Sequence, residues 1–281
     1  MKTKVLTLAL LMMTSLSSFA TVLTDSIKSN VLGTQVKFNV YLPEGFNKNA
    51  DKKYPVLYLL HGLTDTYTAW VQKGKVDKVA DEMIAKGEIC PMIIIMPNAG
   101  GPNTRVDWNG YFNMEGWKYG DFFFTEFMPE VEKRYNIIGD KQHRAVSGLS
   151  MGGGGSTVYA ERHPDLFSSC YAMSAWLTAR SDGNVDPNNH MTAVNKAVME
   201  NNAINFVKNA SDDVISQLRT VRWFIDCGDD DGLLPSNVEL QQQLKSKRIR
   251  CELRVRNGAH TWDYWNTALR TSLPFAAESF K

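Results

Sequence analysis

The sequence has almost no net charge and few cysteines, and each shortage excludes a class of protein. Among its 281 residues, 31 Lys and Arg stand against 30 Asp and Glu, which leaves a net charge of +1. Nucleic acids and anionic membranes recruit proteins through concentrated basic charge, so neither is expected as a partner. The four cysteines match no zinc-site spacing, so we do not expect a zinc site built on them; they are Cys90, Cys170, Cys227 and Cys251.

The sequence positions of the cysteines favour free thiols over disulfides. Cys170, Cys227 and Cys251 lie in or beside apolar segments, and Cys90 precedes one. Free cysteine is among the most buried residue types. We therefore predict buried free thiols, with a disulfide as the alternative that an exported protein would allow.

The sequence contains no long hydrophobic run, and the apolar run near its N-terminus is short. Lys2 and Lys4 precede an apolar stretch from Val5 to Met13, and small residues follow up to Ala20. A stretch of this length cannot span a bilayer, so we disfavour a transmembrane anchor. The pattern is typical of a secretory signal peptide cleaved after Ala20. We expect export to the periplasm or the medium, with residues 21–281 as a single domain and no lipid anchor.

Apolar segments rich in β-branched residues alternate with helical patterns along the remaining chain. Alternation of this kind favours an α/β fold with a mostly parallel, doubly wound sheet. The predicted strands are Gln35–Leu42, Pro55–Leu60, Met92–Met96, Arg144–Ser147, Ser169–Met173, Trp223–Cys227 and Cys251–Val255. The predicted helices are Lys75–Lys86, Phe122–Arg134, Thr157–Arg162, Asn237–Lys245 and Asp263–Thr271.

Residues 177–219 interrupt this alternation with a polar stretch that is too long for an ordinary crossover. We interpret it as an insertion over the carboxyl edge of the sheet that helps to form a substrate cleft. A helix with long loops that never meets the substrate explains the composition equally well.

The most informative motif is Gly148-Leu149-Ser150-Met151-Gly152, which follows a predicted strand and precedes a helical pattern. Strand, G-x-S-x-G and helix in this order form the nucleophile elbow of serine hydrolases. Flanking glycines suit the tight turn that exposes the serine. A flexible Gly/Ser loop is the alternative, and the residues that follow in the sequence decide against it.

A nucleophilic serine needs a base and an acid that orients the base. In this class the chain order is serine, acid, histidine. His260 follows the last predicted strand and is the candidate base. Asp229, Asp230 and Asp231 follow the preceding strand, and their crowded charge indicates that at least one has a function. A solvated turn is the alternative for these aspartates.

The oxyanion hole of such a site takes one backbone donor from the residue after the nucleophile and one from a loop after an early strand. These donors are predicted to be the amides of Met151 and Leu63, with His61 as a positioning or packing residue beside them. Trp176 follows the end of a predicted strand, and Trp262 follows the candidate base His260. We therefore predict that both bind substrate. Core packing is the alternative for any tryptophan.

Four motifs together resemble the esterase D–like family, which includes S-formylglutathione hydrolases, feruloyl and acetyl xylan esterases and mycolyltransferases. They are Tyr58-Leu59-Leu60-His61-Gly62-Leu63, Ser147–Gly153, Asp226-Cys227-Gly228 with the aspartates that follow, and Gly258-Ala259-His260-Thr261-Trp262. The resemblance spans about residues 30–275. It implies the α/β-hydrolase fold, without metal or organic cofactor.

Carried onto these positions, the family pattern makes Ser150 the nucleophile, His260 the base and Leu63 and Met151 the oxyanion donors. It places the acid at Asp231, with Asp230 as the fallback. Together with the signal-peptide pattern, the resemblance therefore implies an exported serine esterase whose partner is an ester substrate, with feruloyl or acetyl groups on plant xylan as the expected target. Acyl transfer to a sugar or lipid hydroxyl and non-catalytic carbohydrate binding are the alternatives.

Overall fold

An eight-stranded sheet organises the fold in the computed structural model, which describes residues 20–100, 109–179 and 190–280. The strand order is β1-β2-β4-β3-β7-β8-β9-β10. Strands β4 to β10 in this order are mutually parallel, whereas β1 and β2 are antiparallel to their neighbours. The strands are β1 (Thr21–Lys28), β2 (Gln35–Leu42), β3 (Val56–Leu60), β4 (Ile93–Pro97), β7 (Arg144–Leu149), β8 (Ser169–Met173), β9 (Arg222–Gly228) and β10 (Cys251–Arg256).

Helices cover both faces of this sheet, and a small hairpin of β5 (Asn113–Met114) and β6 (Trp117–Lys118) lies outside it. A π-helical turn, Phe123–Phe127, links α3 to α4. The helices are α1 (Ala69–Gln72), α2 (Val76–Ala85), α3 (Tyr119–Phe122), α4 (Met128–Arg134), α5 (Met151–Arg162), α6 (His190–Glu200), α7 (Ala203–Lys208), α8 (Asp212–Leu218), α9 (Leu234–Ser246) and α10 (Trp262–Ala277).

Burial explains why the central strands form where they do. Every residue of β3, β4, β7 and β8 is buried, as expected for parallel strands covered by helices on both faces. Alternate side chains of these strands enter two separate apolar clusters, one against α4 and α5 and the other against α2 and α10. The fold is thus the predicted mostly parallel, doubly wound α/β arrangement.

The element boundaries differ from the sequence predictions in places. Strand β1 was not predicted; it is an edge strand with four exposed, three half-buried and one buried position, and five of its eight residues are polar, so it has no apolar signal. Helix α5 starts at Met151 rather than Thr157, because the glycines that lower helix propensity are buried within the helix. Helix α10 extends to Ala277 and includes Pro274 in its last turn.

The region predicted as a polar insertion, residues 177–219, is largely helical where the structure describes it. Helix α7 contacts α5 and α9, on one helical layer of the fold. The three helices α6, α7 and α8 are amphipathic and bury Val194, Ala197, Val198, Ala203, Ile204, Val207, Ile215 and Leu218 in the core. This region is therefore a part of the packed structure, and its polar composition reflects its exposed faces.

All four cysteines are free thiols, and the prediction that they are buried is correct for Cys170 and Cys227 only. Cys251 is half-buried at the start of β10, and Cys90 is exposed in the loop before β4, so burial was wrongly predicted for Cys90. Cys90 precedes β4 but is not one of the residues that pair in the sheet, so its place next to a strand does not bury it. Among the described residues, none of the helices has the length and apolar composition needed to cross a membrane.

Candidate active site

Ser150 occupies the sharp turn between β7 and α5 in an unusual backbone conformation, with φ 53° and ψ −116°. Non-glycine residues rarely adopt positive φ, and such strain is held in place by surrounding contacts. Here the Ser150 amide donates to the Met173 carbonyl at 2.9 Å. The Ser150 carbonyl accepts from the amides of Gly154 at 3.0 Å and Trp176 at 2.9 Å. The backbone on both sides of the turn is therefore fixed.

The glycines of the motif permit close backbone approach. A Cβ atom on Gly152 would lie 2.6 Å from the carbonyl oxygen of His61, and one on Gly148 would lie 2.9 Å from Cβ of Leu60. Both distances are too short for real Cβ contacts. The first turn of α5 can thus pack directly on the end of β3, which brings Ser150 beside the loop that begins at His61.

Three predicted side chains meet at the carboxyl edge of the sheet. Nε2 of His260 lies 2.9 Å from Oγ of Ser150, and its Nδ1 lies 2.8 Å from Oδ2 of Asp231. The Asp231 side chain is 1% exposed and that of His260 is 38% exposed. The structure therefore presents a serine, a histidine and a carboxylate in hydrogen-bonded series, with the histidine open to a ligand.

The structure separates the three adjacent aspartates. Asp231 is buried, and its Oδ1 accepts from the amide of Leu233 at 2.9 Å. Asp229 instead accepts from the amide of Gly258 at 2.8 Å, which ties this loop to the one that carries His260. Asp230 is exposed and contacts Gly258 through its backbone amide. The geometry thus places Asp231, rather than Asp230, beside His260.

The surroundings of Asp231 favour its ionised form. Desolvation raises the pKa of this carboxyl, but hydrogen bonds from His260, the Leu233 amide and Ser174 together hold it below its usual value. A carboxylate at this position can orient the imidazole and stabilise its protonated form.

The predicted oxyanion donors flank Ser150. Met151 is the first residue of α5, where an amide has no acceptor within its helix. Leu63 follows Gly62, and a Cβ atom on Gly62 would lie 3.6 Å from Cβ of Ser150. The loop that carries Leu63 therefore lies beside Ser150, and the Met151 amide follows Ser150 directly in the chain; their role as oxyanion donors stays a prediction.

His61 is fully buried and supports this loop from inside. Its Nε2 accepts from the Ala99 amide at 3.0 Å, so its Nδ1 carries the proton and donates to the Gly62 carbonyl at 2.8 Å. Burial lowers the pKa of His61 to about 4. A neutral imidazole bonded at both nitrogens cannot act as a base, which agrees with the predicted positioning or packing role.

The two predicted substrate-binding tryptophans have different surroundings. Trp176 is half-buried and is joined to Ser150 through its amide. Trp262 packs edge-on against Trp70 and Trp265, with ring centroids 5.2 and 5.5 Å away. Trp176 therefore lies beside the nucleophile, whereas Trp262 supports other aromatic rings.

Sequence reasoning missed Trp265 as a residue of the site. Its ring meets that of His260 at 90° with centroids 4.9 Å apart, and its Nε1 donates to Oγ of Ser174 at 3.0 Å. Trp265 stands three residues after Trp262 on α10, so helical periodicity from Thr261 onward would have been the signal. In the parts of the chain that the structure describes, no group of three or more His, Cys, Asp or Glu side chains is arranged to hold a metal ion.

Comparison with known proteins gives one family and several similar proteins. The family model described as "Putative esterase" matches residues 29–276. A solved structure of a ferulic acid esterase has a TM-score of 0.90 and 48% sequence identity, covering 94% of this chain and 99% of that one. An acetyl esterase of Caldicellulosiruptor saccharolyticus is 23% identical, covering 79% of this chain and 83% of that protein.

A third relative is considerably longer than this chain. The endo-1,4-beta-xylanase/feruloyl esterase of Xylanibacter ruminicola is 34% identical over 142 residues, which is 50% of this chain. The matched segment is 19% of that protein, so the match covers about a fifth of the relative's length.

Proposed function

Because the chain belongs to the esterase family that matches residues 29–276, we propose that it is a serine esterase that removes feruloyl groups from plant polysaccharide such as xylan. The observation that carries the proposal is the series of hydrogen bonds from Ser150 through His260 to Asp231, at 2.9 and 2.8 Å. Serine esterases need this arrangement and no other reactive group.

The first half of the reaction forms an acyl-enzyme. Oγ of Ser150 attacks the ester carbonyl carbon while Nε2 of His260 takes the hydroxyl proton. Asp231 holds the imidazole in the tautomer with a proton on Nδ1 and stabilises the imidazolium that forms. The amides of Leu63 and Met151 hold the oxyanion, at roughly 3–4 kcal/mol per donor. The tetrahedral intermediate then collapses, and His260 gives its proton to the departing alcohol oxygen.

The second half returns the enzyme to its starting state. Water takes the place of the alcohol, His260 removes one of its protons, and the resulting hydroxide adds to the acyl carbon. Collapse of the second tetrahedral intermediate breaks the bond to Ser150 and returns the proton to its Oγ. The products are a free carboxylic acid and an alcohol.

The choice of a feruloyl group rests on similarity and on the aromatic surroundings. The similar ferulic acid esterase covers nearly the same length as this chain, and the Xylanibacter relative combines a feruloyl esterase with a xylanase. The half-buried Trp176, whose amide bonds the Ser150 carbonyl, is the side chain that we propose stacks on an aromatic acyl group. The acetyl esterase relative makes an acetyl group the competing acyl substituent.

We further propose that the protein acts after export. The signal-peptide pattern of residues 1–20, a short apolar run after Lys2 and Lys4, supports this. Strand β1 starts at Thr21, so cleavage after Ala20 would leave every strand intact. A polysaccharide substrate is met outside the cytosol, which is consistent with such a signal.

A substrate panel tests the proposal. Protein beginning at Thr21 should hydrolyse methyl ferulate faster than acetylated xylan or S-formylglutathione, and Ser150→Ala should hydrolyse none of them. A preference for acetylated xylan would contradict the proposed feruloyl specificity and leave the proposed esterase activity intact. No activity of the intact protein on a broad ester panel would contradict the esterase itself. Fractionation of cells that express the full chain tests export, since a product retained uncleaved in the cytosol would contradict it.

A further inference from the structure

Ser174 lies at the centre of the candidate site although no motif includes it. It is the first residue after β8, and β8 lies between β7, which leads to Ser150, and β9, which leads to Asp231. The residue is completely buried. Its φ of 46° is unusual for a residue other than glycine, and its amide donates to the Asp226 carbonyl at 2.7 Å. Its position is therefore fixed at the cost of backbone strain.

The Ser174 hydroxyl has one partner that can only donate. Nε1 of Trp265 lies 3.0 Å from Oγ of Ser174, and an indole nitrogen donates and never accepts. The hydroxyl oxygen therefore accepts from Trp265, and its own proton is free to be donated elsewhere. Leaving a buried hydroxyl proton without an acceptor is unfavourable, so an acceptor is needed inside the site.

Two candidate acceptors lie on β9 and on the turn that follows it, and the amide of Ser174 is bonded to the Asp226 carbonyl of that strand. One is the Asp231 carboxylate, and the Ser174 hydrogen bond is among the contacts that lower the pKa of Asp231 against the effect of desolvation. The other is the Cys227 sulfur, which is a weak acceptor. Hydrogen bonds to an ionised group are shorter and about twice as strong as neutral ones, so the carboxylate takes the proton.

We propose that Ser174 is a positioning residue of the site, whose hydroxyl is oriented by Trp265 and donates to Asp231. Three of the contacts among these four side chains are observed, and the proposed hydrogen bond closes them into a ring. Asp231 bonds His260 at 2.8 Å, the His260 ring packs against Trp265, and Trp265 bonds Ser174. Ser174 thereby restrains the carboxylate that aligns the imidazole, while Trp265 restrains both the imidazole and the hydroxyl.

Among the described residues, the titratable groups around Asp231 come from three elements. They are His260 from the loop before α10, Cys227 from β9, and Asp229 and Asp230 in its own loop. Removal of the Ser174 hydroxyl raises the pKa of Asp231, because one donor to its charged form is lost. As the solution is acidified, the carboxylate that activity requires is then protonated at a higher pH than in the wild type. The acid limb of the pH–rate profile, which belongs to the coupled Asp231–His260 pair, moves to higher pH.

Two substitutions at Ser174 separate positioning from folding. Ser174→Ala and Ser174→Gly both remove the hydroxyl, but only glycine relieves the positive φ. We expect both to lower kcat about tenfold with little change in KM and to shift the acid limb equally. Ser174→Gly should nevertheless melt at a higher temperature than Ser174→Ala. Wild-type kcat and pH profile in both variants would overturn the proposal, as would a loss of activity confined to the less stable one.

Trp265 supplies the second arm of the test. Trp265→Phe keeps an aromatic ring beside His260 and removes the indole donor, so it should shift the acid limb in the same direction. The variant that combines Ser174→Ala and Trp265→Phe should show no larger shift than Ser174→Ala alone, because both changes act on one hydrogen bond to Asp231. Additive shifts would contradict the role assigned to Trp265.

A matched control and a readout without turnover complete the design. Ser272 is a buried serine of α10 whose hydroxyl has no hydrogen-bond partner among the described residues, so Ser272→Ala should leave the pH profile unchanged. The inference rests on the proposed esterase function, which hydrolysis by the wild type and its loss in Ser150→Ala test separately. In the inactive Ser150→Ala protein, Ser174→Ala should also shift the proton NMR signal of the His260–Asp231 hydrogen bond. An unmoved signal would overturn the proposal whatever the activity.

Discussion

Gly152 lies so close to His61 that a Cβ atom there would be 2.6 Å from the His61 carbonyl oxygen. The first turn of α5 and the loop that starts at the end of β3 are thus packed backbone against backbone. This contact fixes how close α5 lies to the loop after β3, and these elements carry the two amides that the proposed mechanism directs at the oxyanion, those of Met151 and Leu63. The glycine of the motif therefore has a measurable role in the geometry of the oxyanion hole.

Gly152→Ala should lower both stability and activity. A Cβ at this position meets backbone, which cannot rotate away, so we expect a loss of roughly 3 kcal/mol in the free energy of unfolding. Displacement of the oxyanion donors by about 1 Å should lower kcat roughly 100-fold. Urea denaturation and steady-state kinetics measure the two effects. Gly232→Ala is the control, since a Cβ there meets nothing within 4 Å; equal effects of the two substitutions would refute this packing argument.

Replacing Ser150 by glycine and by alanine should give two inactive proteins of different stability. Both lack the nucleophile, so kcat should fall roughly 10⁶-fold in each. Ser150 has φ 53° and ψ −116°, a conformation that glycine adopts without strain and alanine does not. Ser150→Gly should therefore be about 1 kcal/mol more stable than Ser150→Ala after the extra chain entropy of glycine is counted. Thermal melting of both would show this, and equal melting temperatures would mean that the turn carries no strain.

Asp231→Asn and Asp230→Asn should differ sharply in their effect. An amide at Asp231 cannot stabilise the imidazolium and favours the wrong tautomer of His260, so we expect kcat to fall roughly 10⁴-fold. The exposed side chain of Asp230 takes no part in the series, and Asp230→Asn should stay close to the wild type. Kinetics with p-nitrophenyl acetate distinguish them. Comparable losses of kcat from both substitutions would contradict the assignment of Asp231 as the acid.

His61 should make the stability of the fold depend on pH below neutrality. Burial lowers its pKa from 6.5 to about 4. As pH falls from 6.5 toward 4, the unfolded chain takes up a proton at this position and the folded chain does not, so the folded state is progressively destabilised. The contribution reaches about 3 kcal/mol at the acid end of this window. His61→Gln keeps an acceptor for the Ala99 amide and lacks the titration, so its stability should fall less across the same window in urea denaturation. Parallel curves for the two proteins would contradict the neutral, buried state of His61.

Much of the fold could be predicted because its signals are local. Strands β3, β4, β7 and β8 are buried on both faces and appear in the sequence as continuous apolar runs. The elbow likewise depends on glycines within a few residues of Ser150. Strand β1 escaped prediction because an antiparallel edge strand needs only one covered face, and its sequence, TVLTDSIK, carries no clear alternation.

The parts of the site that depend on tertiary packing could not be predicted. Three adjacent aspartates look equivalent from their composition, and only the family resemblance favoured Asp231; in the structure the hydrogen bonds of Asp229 to Gly258 and of Asp231 to His260 distinguish them. Trp262 adjoins His260 in sequence, yet the helical turn brings Trp265 against the imidazole instead. Ser174 has no motif, because its place follows from the position of β8 between the two strands that lead to Ser150 and Asp231.

Direct detection of the acyl-enzyme tests the central claim most closely. The protein beginning at Thr21 is mixed with methyl ferulate, quenched in acid within the first turnover, digested and analysed by mass spectrometry. The account predicts a feruloyl group on the peptide that contains Ser150. It predicts no such group in the Ser150→Ala protein. A feruloyl group on another residue, or hydrolysis that proceeds normally in Ser150→Ala, would contradict it.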